Sequence, residues 1–190
     1  MTKVNALEVR KPYAHTNTRI VKLPGHEISI EHFLPENYEI LEIRKRAAIA
    51  RSKIDPALKF VIKEKSRNKS YKLEPISEAR LASHINNLQI PGITAEEPLA
   101  VILGSDKKHK IVYQYAEGQH SSALYARPAT FEERHAQAEL EKHGITPHDT
   151  QWFSHSKGIT LTDIEHFEVT DELRKKLKLK YTQGETDQLP

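Results

Sequence analysis

The chain has 190 residues, of which 37% are hydrophobic and 29% are charged, so its length and composition suit one domain with a hydrophobic core. Its net charge of +3 argues against a nucleic-acid partner, and the absence of cysteine excludes disulfides and thiolate metal sites. No apolar run approaches the roughly 20 residues that cross a bilayer, so the sequence predicts a cytoplasmic protein with no membrane partner.

The N-terminal quarter is predicted to begin with a flexible arm. Residues 1–17 are polar and aperiodic, which is typical of a mobile or loosely docked terminus. Arg19–Lys22 and Ile28–Ile30 are predicted to form two short strands on either side of a Pro-Gly turn. Apolar residues at helical spacing then predict a helix over residues 36–52.

The middle of the chain is predicted to contain strands around one helix. Leu58–Lys65 has the apolar centre of a strand. Pro75–Leu88 combines a proline in its first turn with an apolar stripe, which predicts a helix. Leu99–Leu103 and Lys110–Tyr115 flank a Gly-Ser-Asp turn, so we expect them to form a hairpin.

The C-terminal third is predicted to follow a linker over residues 119–129. A capping-box pattern opens a helix over Thr130–His143, and a lysine-rich helix is expected over Thr170–Leu177. Ile159–Thr162 has the pattern of a short strand, and residues 181–190 are polar enough to predict a disordered tail. This order of elements favours an α+β fold with an antiparallel sheet.

One lysine stands near the middle of an apolar strand. Because side chains alternate along a strand, Val61 and Lys63 share one face and Phe60 and Ile62 share the other. An ammonium group inside such a strand requires a partner. The alternative is a lysine at an exposed strand end, whose side chain reaches water.

A glutamate lies beside the apolar stripe of the following helix. Glu78, Ala82 and Ile85 share one face at helical spacing, so Glu78 belongs near the buried side. Lys63 is the nearest candidate cation in chain order. Glu78 could instead be a first-turn acid that faces the helix dipole, and Glu74 is a rival for the same role.

These residues resemble the first half of a protein kinase. Phe60-Val-Ile-Lys63 resembles the strand that carries the ATP-contacting lysine, and Glu78 follows where that family keeps its helix glutamate. The segment from Ile90 to Ile102 is similar to atypical bacterial kinases, including lipopolysaccharide-core and aminoglycoside kinases. Residues 111–118 resemble the fifth strand and hinge of those families.

The resemblance implies a nucleotide cleft with ATP as the ligand. The backbone of Gln114, Tyr115 and Ala116 would meet the adenine edge, and Val61 would form part of the cleft roof. Lys63 would contact the phosphates, with its ammonium oriented by a glutamate.

The second half resembles the catalytic segments of the same family in the same order. His148-Asp149 is similar to the catalytic loop, which implies that Asp149 serves the acceptor hydroxyl. The segment from Leu161 to Glu165 is similar to the metal-binding segment, which implies that Asp163 binds Mg²⁺ and shares a cleft with Lys63 and the helix glutamate. Gln151 stands in place of the family asparagine as a second metal ligand.

The resemblance spans about residues 58–168 and implies an N-terminal lobe over about 18–118 and a reduced helical C-terminal lobe over about 119–180. It departs from the family in three respects, of which the reduced C-terminal lobe is one. No glycine-rich loop precedes the lysine strand, because residues 36–52 are predicted to be helical, and the catalytic loop is short.

Three functions follow from the sequence. The leading expectation is a minimal atypical kinase that uses ATP and Mg²⁺ on an unidentified hydroxyl acceptor, with a protein as a candidate substrate or partner. The second is a pseudokinase, a nucleotide-binding or regulatory module without turnover. The third is a small basic scaffold with no nucleotide site, which would fit the lysine-rich last helix.

Overall fold

A computed structural model describes residues 9–10, 19–44, 47–65, 72–104, 109–115, 119–120, 130–148 and 151–182. It contains three α-helices, which are α1 (Pro75–Asn87), α2 (Phe131–Lys142) and α3 (Asp171–Leu177). The strands, numbered in chain order, are β1 (Val9–Arg10), β2 (Arg19–Lys22), β3 (Tyr38–Arg44), β4 (Ala47–Ser52), β5 (Lys59–Lys65), β6 (Lys72–Leu73), β7 (Ile93–Ala95), β8 (Pro98–Leu103), β9 (His109–Gln114), β10 (Gln119–His120), β11 (Ile145–Thr146), β12 (Gln151–His155), β13 (Gly158–Thr162), β14 (Glu168–Val169) and β15 (Tyr181–Thr182).

The chain divides into two compact units. The first unit comprises Met1–Arg67 and Glu97–Tyr115, and the second comprises Asn68–Glu96 and Ala116–Pro190. Helix α1 therefore belongs to the second unit, although its residues lie between the two stretches of the first unit along the chain.

The first unit is built on a seven-stranded sheet in the order β1-β2-β8-β9-β5-β4-β3. Every neighbouring pair of these strands is antiparallel. Phe60 is fully buried at the centre of its core, with the Phe33 ring edge-on at 5.2 Å and the Tyr38 ring at 5.6 Å. Two 3-10 turns, Ile30–Phe33 and Pro35–Asn37, connect β2 to β3.

The predicted helix over residues 36–52 is wrong, because this segment forms the hairpin β3–β4. The register runs from Tyr38 opposite Ser52 to Arg44 opposite Ala47, with a β-bulge between Ile40 and Glu42. A bulge adds one residue to its strand, so Ile40 and Ile43 share a face although they are three residues apart. That spacing imitates a helical stripe in the sequence, yet Ile43 is 81% exposed.

The predicted strand Ile28–Ile30 is also wrong. Ile30 instead begins a 3-10 turn, because the Ser29 side chain accepts a hydrogen bond from the Glu31 N–H at 3.3 Å and caps it. Val9–Arg10, within the predicted arm, pairs with β2, and Tyr181–Thr182, within the predicted tail, pairs with β6. The remaining residues of the arm and tail lie outside the described part.

The longer elements are otherwise where the sequence predicts them. The structure confirms strands β2, β5, β8, β9 and β13 and all three α-helices, and β8 pairs with β9 as an antiparallel hairpin. The Thr130 capping box is also confirmed, since the Thr130 Oγ1 and Glu133 carboxylate each accept the other residue's N–H. The α+β class with a mostly antiparallel sheet is therefore shown.

The second unit has a four-stranded sheet in the order β10-β12-β13-β7. The β7–β13 pair is parallel, whereas β13 pairs antiparallel with β12. The core of this unit combines apolar residues from all three helices with the sheet, including Leu81, Leu140, Leu161 and Leu173. Among the described residues, no helix combines the length and the apolar character needed to span a membrane.

Candidate functional site

Lys63 lies on an inner strand of the first unit's sheet. Strand β5 is paired on both sides, so Lys63 stands opposite Ala47 of β4 and Ile111 of β9. Phe60 and Ile62 are buried in the core, whereas the side chains of Val61 and Lys63 are half-buried. The predicted alternation of faces along this strand is thus confirmed.

The Lys63 ammonium is held over an aromatic ring. Its Nζ lies 5.4 Å from the centroid of the Tyr113 ring, and Tyr113 is only 2% exposed. A cation at this distance from a ring is stabilised by roughly 0.5–2 kcal/mol. Lys63 is therefore a positioned, half-buried cation of the sheet, which argues against the alternative of an exposed strand end.

The predicted adenine-contacting segment is partly engaged in the sheet. The Gln114 N–H donates to the Glu97 carbonyl at 2.8 Å, and the Tyr115 N–H donates to the Lys59 carbonyl at 3.3 Å. Because both N–H groups already donate within the first unit, neither is available to donate to an adenine edge. Ala116, the third residue of the prediction, lies outside the described residues.

Glu78 is a buried carboxylate in the first turn of α1. It is 1% exposed, between Ser77 and Ala79, which are buried as well. Its N–H donates to the carbonyl of Glu74, the N-cap residue, at 2.8 Å. Its predicted place on the buried side of the helix is confirmed, while Lys63 belongs to the other unit, so the pairing of their side chains stays a prediction.

Asp163 terminates β13 in a left-handed conformation, with φ 53° and ψ 44°. Aspartate tolerates this region better than most residues, yet the conformation still costs about 1 kcal/mol. Such local strain is concentrated at functional sites, where the surrounding structure holds it in place. Here the strand before Asp163 is buried, since Leu161 and Thr162 are at most 1% exposed.

Gln151 and Asp163 stand at adjoining ends of two paired strands. The antiparallel register of β12 and β13 places Gln151 opposite Thr162, one residue before Asp163. Gln151 is therefore the first residue of a strand, where the resemblance implied a residue of the catalytic loop. Asp149, the predicted acceptor-binding residue, lies outside the described residues.

Helix α1 and the segment after Asp163 pack together within the second unit. The 3-10 turn Ile164–His166 follows Asp163 and packs against α1. The Lys72 ammonium, just before α1, lies 3.8 Å from a carboxylate oxygen of Glu165 in this turn. The helix that carries Glu78 and the strand end that carries Asp163 are thus parts of one packed structure.

No group of three or more His, Cys, Asp or Glu side chains suited to a metal ion occurs in the part of the chain that the structure describes. Asp163 is a single carboxylate at a strand end. Mg²⁺ commonly takes one or two protein carboxylates and fills its other positions with water and substrate phosphates. A Mg²⁺ ion at Asp163 would therefore have to take its remaining ligands from water and substrate phosphates.

Two residues that shape the surroundings of the candidate site cannot be identified from the sequence. Tyr113 supplies the ring beneath Lys63, and the register of β9 against β5 that brings it there is not visible in the sequence. Asn86 fixes β7, because its side chain accepts the Ala95 N–H at 2.7 Å and donates to the Ala95 carbonyl at 3.2 Å. An asparagine near a helix end gives only a weak signal for such a role.

Comparisons with protein-family models, with curated proteins and with solved structures found no match.

Proposed function

We propose that this chain is an atypical kinase that transfers a phosphoryl group from ATP to a hydroxyl acceptor. In this proposal Lys63 binds phosphate oxygens and Glu78 orients the lysine. Asp163 and Gln151 hold Mg²⁺, and Asp149 accepts the proton of the acceptor hydroxyl as the new P–O bond forms and the bond to the β-phosphate oxygen breaks.

The observation that carries the proposal is the hairpin before the lysine strand. In protein kinases a glycine-rich loop covers the phosphates and the lysine lies on the third strand. Here β3 and β4 form a hairpin, and β4 pairs with β5 so that Ala47 stands opposite Lys63. The sequence predicts a helix over residues 36–52, which would leave no hairpin immediately before the lysine strand. The hairpin supports the proposal because it removes that departure from the kinase pattern.

The chain order of the remaining elements also supports the proposal. The lysine strand is followed by a helix with a buried glutamate, then by the antiparallel pair β8–β9. A second antiparallel pair, β12–β13, ends at Asp163. Kinases use these parts in this order, with the metal-binding aspartate last.

The residues present have distinct tasks around a bound nucleotide. Lys63 is a half-buried cation, and a phosphate oxygen would be attracted to its ammonium more strongly there than in water. When bound, Mg²⁺ neutralises charge on the phosphates. The hairpin sequence contains no glycine. The close backbone contacts that a glycine-rich loop makes with the phosphates must therefore come from other groups of the chain.

A nucleotide-binding pseudokinase is the second candidate, and one observation favours it. Thr146 ends β11 and Gln151 already begins β12, so only residues 147–150 are left for the catalytic loop. A kinase loop needs room for an aspartate and, five residues later, a metal-binding asparagine. Positioning supplies much of the rate of phosphoryl transfer, so a shortened loop would reduce turnover more than binding.

Turnover separates the two candidates. We expect the protein to convert ATP to ADP with Mg²⁺, and Asp163→Asn and Asp149→Asn to lower the rate about 100-fold or more. Glu172→Gln, which removes an exposed carboxylate from the same unit, should leave the rate unchanged. Turnover that survives both aspartate substitutions would refute the assigned roles, whereas nucleotide binding without turnover would establish the pseudokinase.

A further inference from the structure

A second candidate site lies in the second unit, around the C-terminal end of α3. An open cleft of about 320 Å³ is lined there by Asp171, Arg174, Lys175, Lys178, Leu179 and Lys180. Four of these six residues are cationic and one is acidic. Nothing in the proposed kinase mechanism uses them.

The four cations outnumber Asp171, the acidic residue that lines the same cleft. The Arg174, Lys175, Lys178 and Lys180 side chains are exposed, and none of them forms an ion pair within the described ranges. Cations in the last turn of a helix compensate the helix dipole, which would account for Arg174 and Lys175. It does not account for Lys178 and Lys180, which lie beyond the last helical residue.

The backbone that carries these two lysines is fixed. Lys178 adopts a left-handed conformation, and its N–H donates to the Lys175 carbonyl at 3.2 Å. Leu179 is buried, and its N–H donates to the Arg174 carbonyl at 3.0 Å. Lys180 is held on both sides, since its N–H donates to the Ser77 hydroxyl at 2.7 Å and its carbonyl accepts the Glu74 N–H at 2.9 Å.

Arg174 is oriented as well. Its guanidinium lies 5.2 Å from the centroid of the Tyr181 ring, and the Tyr181 hydroxyl donates to the Phe167 carbonyl at 2.9 Å. A guanidinium carries its N–H groups in one plane, in a fork geometry that suits phosphate oxygens. A fixed backbone and an oriented guanidinium lower the entropic cost of binding an anion.

We infer that this cleft binds a compact, multiply charged phosphate anion. Its volume is at the small end of ligand pockets, which suits a compact anion rather than a drug-sized molecule. Arg174 provides paired donors, while Lys175, Lys178 and Lys180 provide point charges around it. The site uses neither Lys63 nor Asp163, so this inference does not depend on the proposed kinase activity.

Inorganic tripolyphosphate is the probe, titrated into the full chain at about 0.15 M salt without nucleotide. We expect saturable binding, weakened about tenfold or more by the double substitution Lys175→Gln and Lys180→Gln, because two exposed charged contacts are lost and each is worth roughly a factor of three to five. Lys157→Gln removes an exposed lysine that does not line the cleft, and it should have no effect.

Three results would overturn the inference. One is an absence of tripolyphosphate binding at this salt concentration. Another is equal affinity of the double variant and of Lys157→Gln. The third is tighter binding of a single-stranded oligonucleotide than of tripolyphosphate with the same dependence on Lys175 and Lys180, which would make the cleft part of a nucleic-acid surface.

Discussion

At the scale of the residue, partial burial on α1 affects the ionisation of His84. Glu78 is buried in its first turn and His84 is half-buried near its last turn. Burial lowers the pKa of His84 below its ordinary value of 6.5, and the nearby charges of Lys176 and His143 lower it further. Each of these effects penalises the protonated imidazole of the folded chain.

This shift has a consequence for stability below neutral pH. The unfolded chain protonates His84 at pH values where the folded chain does not, so acidification through pH 6.5 favours unfolding. We expect His84→Gln to lose less stability than the parent chain when the pH falls from about 7.5 to 5.5. Chemical denaturation at several pH values measures the difference.

Lys176→Gln serves as a companion variant, because it keeps the imidazole and removes one of the cations that lower its pKa. It should also reduce the loss of stability at acid pH, though by less than His84→Gln. Identical pH dependence in all three proteins would show that His84 titrates alike in the folded and unfolded chains.

At the scale of the element, the parallel pair β7–β13 depends on two glycines in contact. Gly158 has φ 132°, and a Cβ atom placed on it would lie 2.1 Å from the carbonyl oxygen of Gly92. That same oxygen accepts the Ile159 N–H at 2.9 Å. The close approach of the two backbones therefore sets the start of β13, the strand that ends at Asp163.

We expect Gly158→Ala to destabilise the chain by about 3 kcal/mol or more, because a methyl group would collide with backbone that is itself hydrogen-bonded. Gly92→Ala is the matched control. It also lies at positive φ, but its Cβ would meet its nearest neighbour at an ordinary 3.7 Å, so it should cost only about 1 kcal/mol. Urea denaturation of the two variants measures both costs, and equal costs would contradict the close-approach account.

The elements that the sequence predicts are those with one dominant periodicity. Strand β5 and helices α1 and α2 have clear apolar patterns and start signals, and all three are found. The hairpin β3–β4 is mispredicted because the bulge between Ile40 and Glu42 gives a strand the spacing of a helix. The two-residue strands β6, β11 and β14 carry too few residues for any pattern, since tertiary pairing alone creates them.

The candidate site shows the same difference between features that a local pattern predicts and features that depend on long-range contacts. Alternation along β5 and helical spacing along α1 predict which sides Lys63 and Glu78 occupy. The left-handed backbone of Asp163 and the ring of Tyr113 beneath Lys63 depend on long-range contacts, so no local pattern indicates them. The sequence therefore predicts side-chain faces better than it predicts the partners that meet there.

At the scale of the whole molecule, the proposed site residues are distributed over two compact units. Lys63 belongs to the first unit, and Glu78 and Asp163 belong to the second. The central claim is that the chain binds ATP with Mg²⁺ and that the affinity depends on Lys63 and on Asp163. Binding free energies can test that claim directly, because two residues that contact one ligand both change its affinity.

The most direct measurement is the affinity for ATP with Mg²⁺, by calorimetry, of the parent chain and of Lys63→Met, Asp163→Asn and the exposed-lysine control Lys53→Met. The account predicts saturable binding that Lys63→Met weakens about tenfold or more, since a charged hydrogen bond to phosphate is lost. It also predicts that Asp163→Asn removes most of the benefit of Mg²⁺ and that Lys53→Met changes nothing. An absence of ATP binding by the parent chain, or an affinity unchanged in both site variants, would contradict the account.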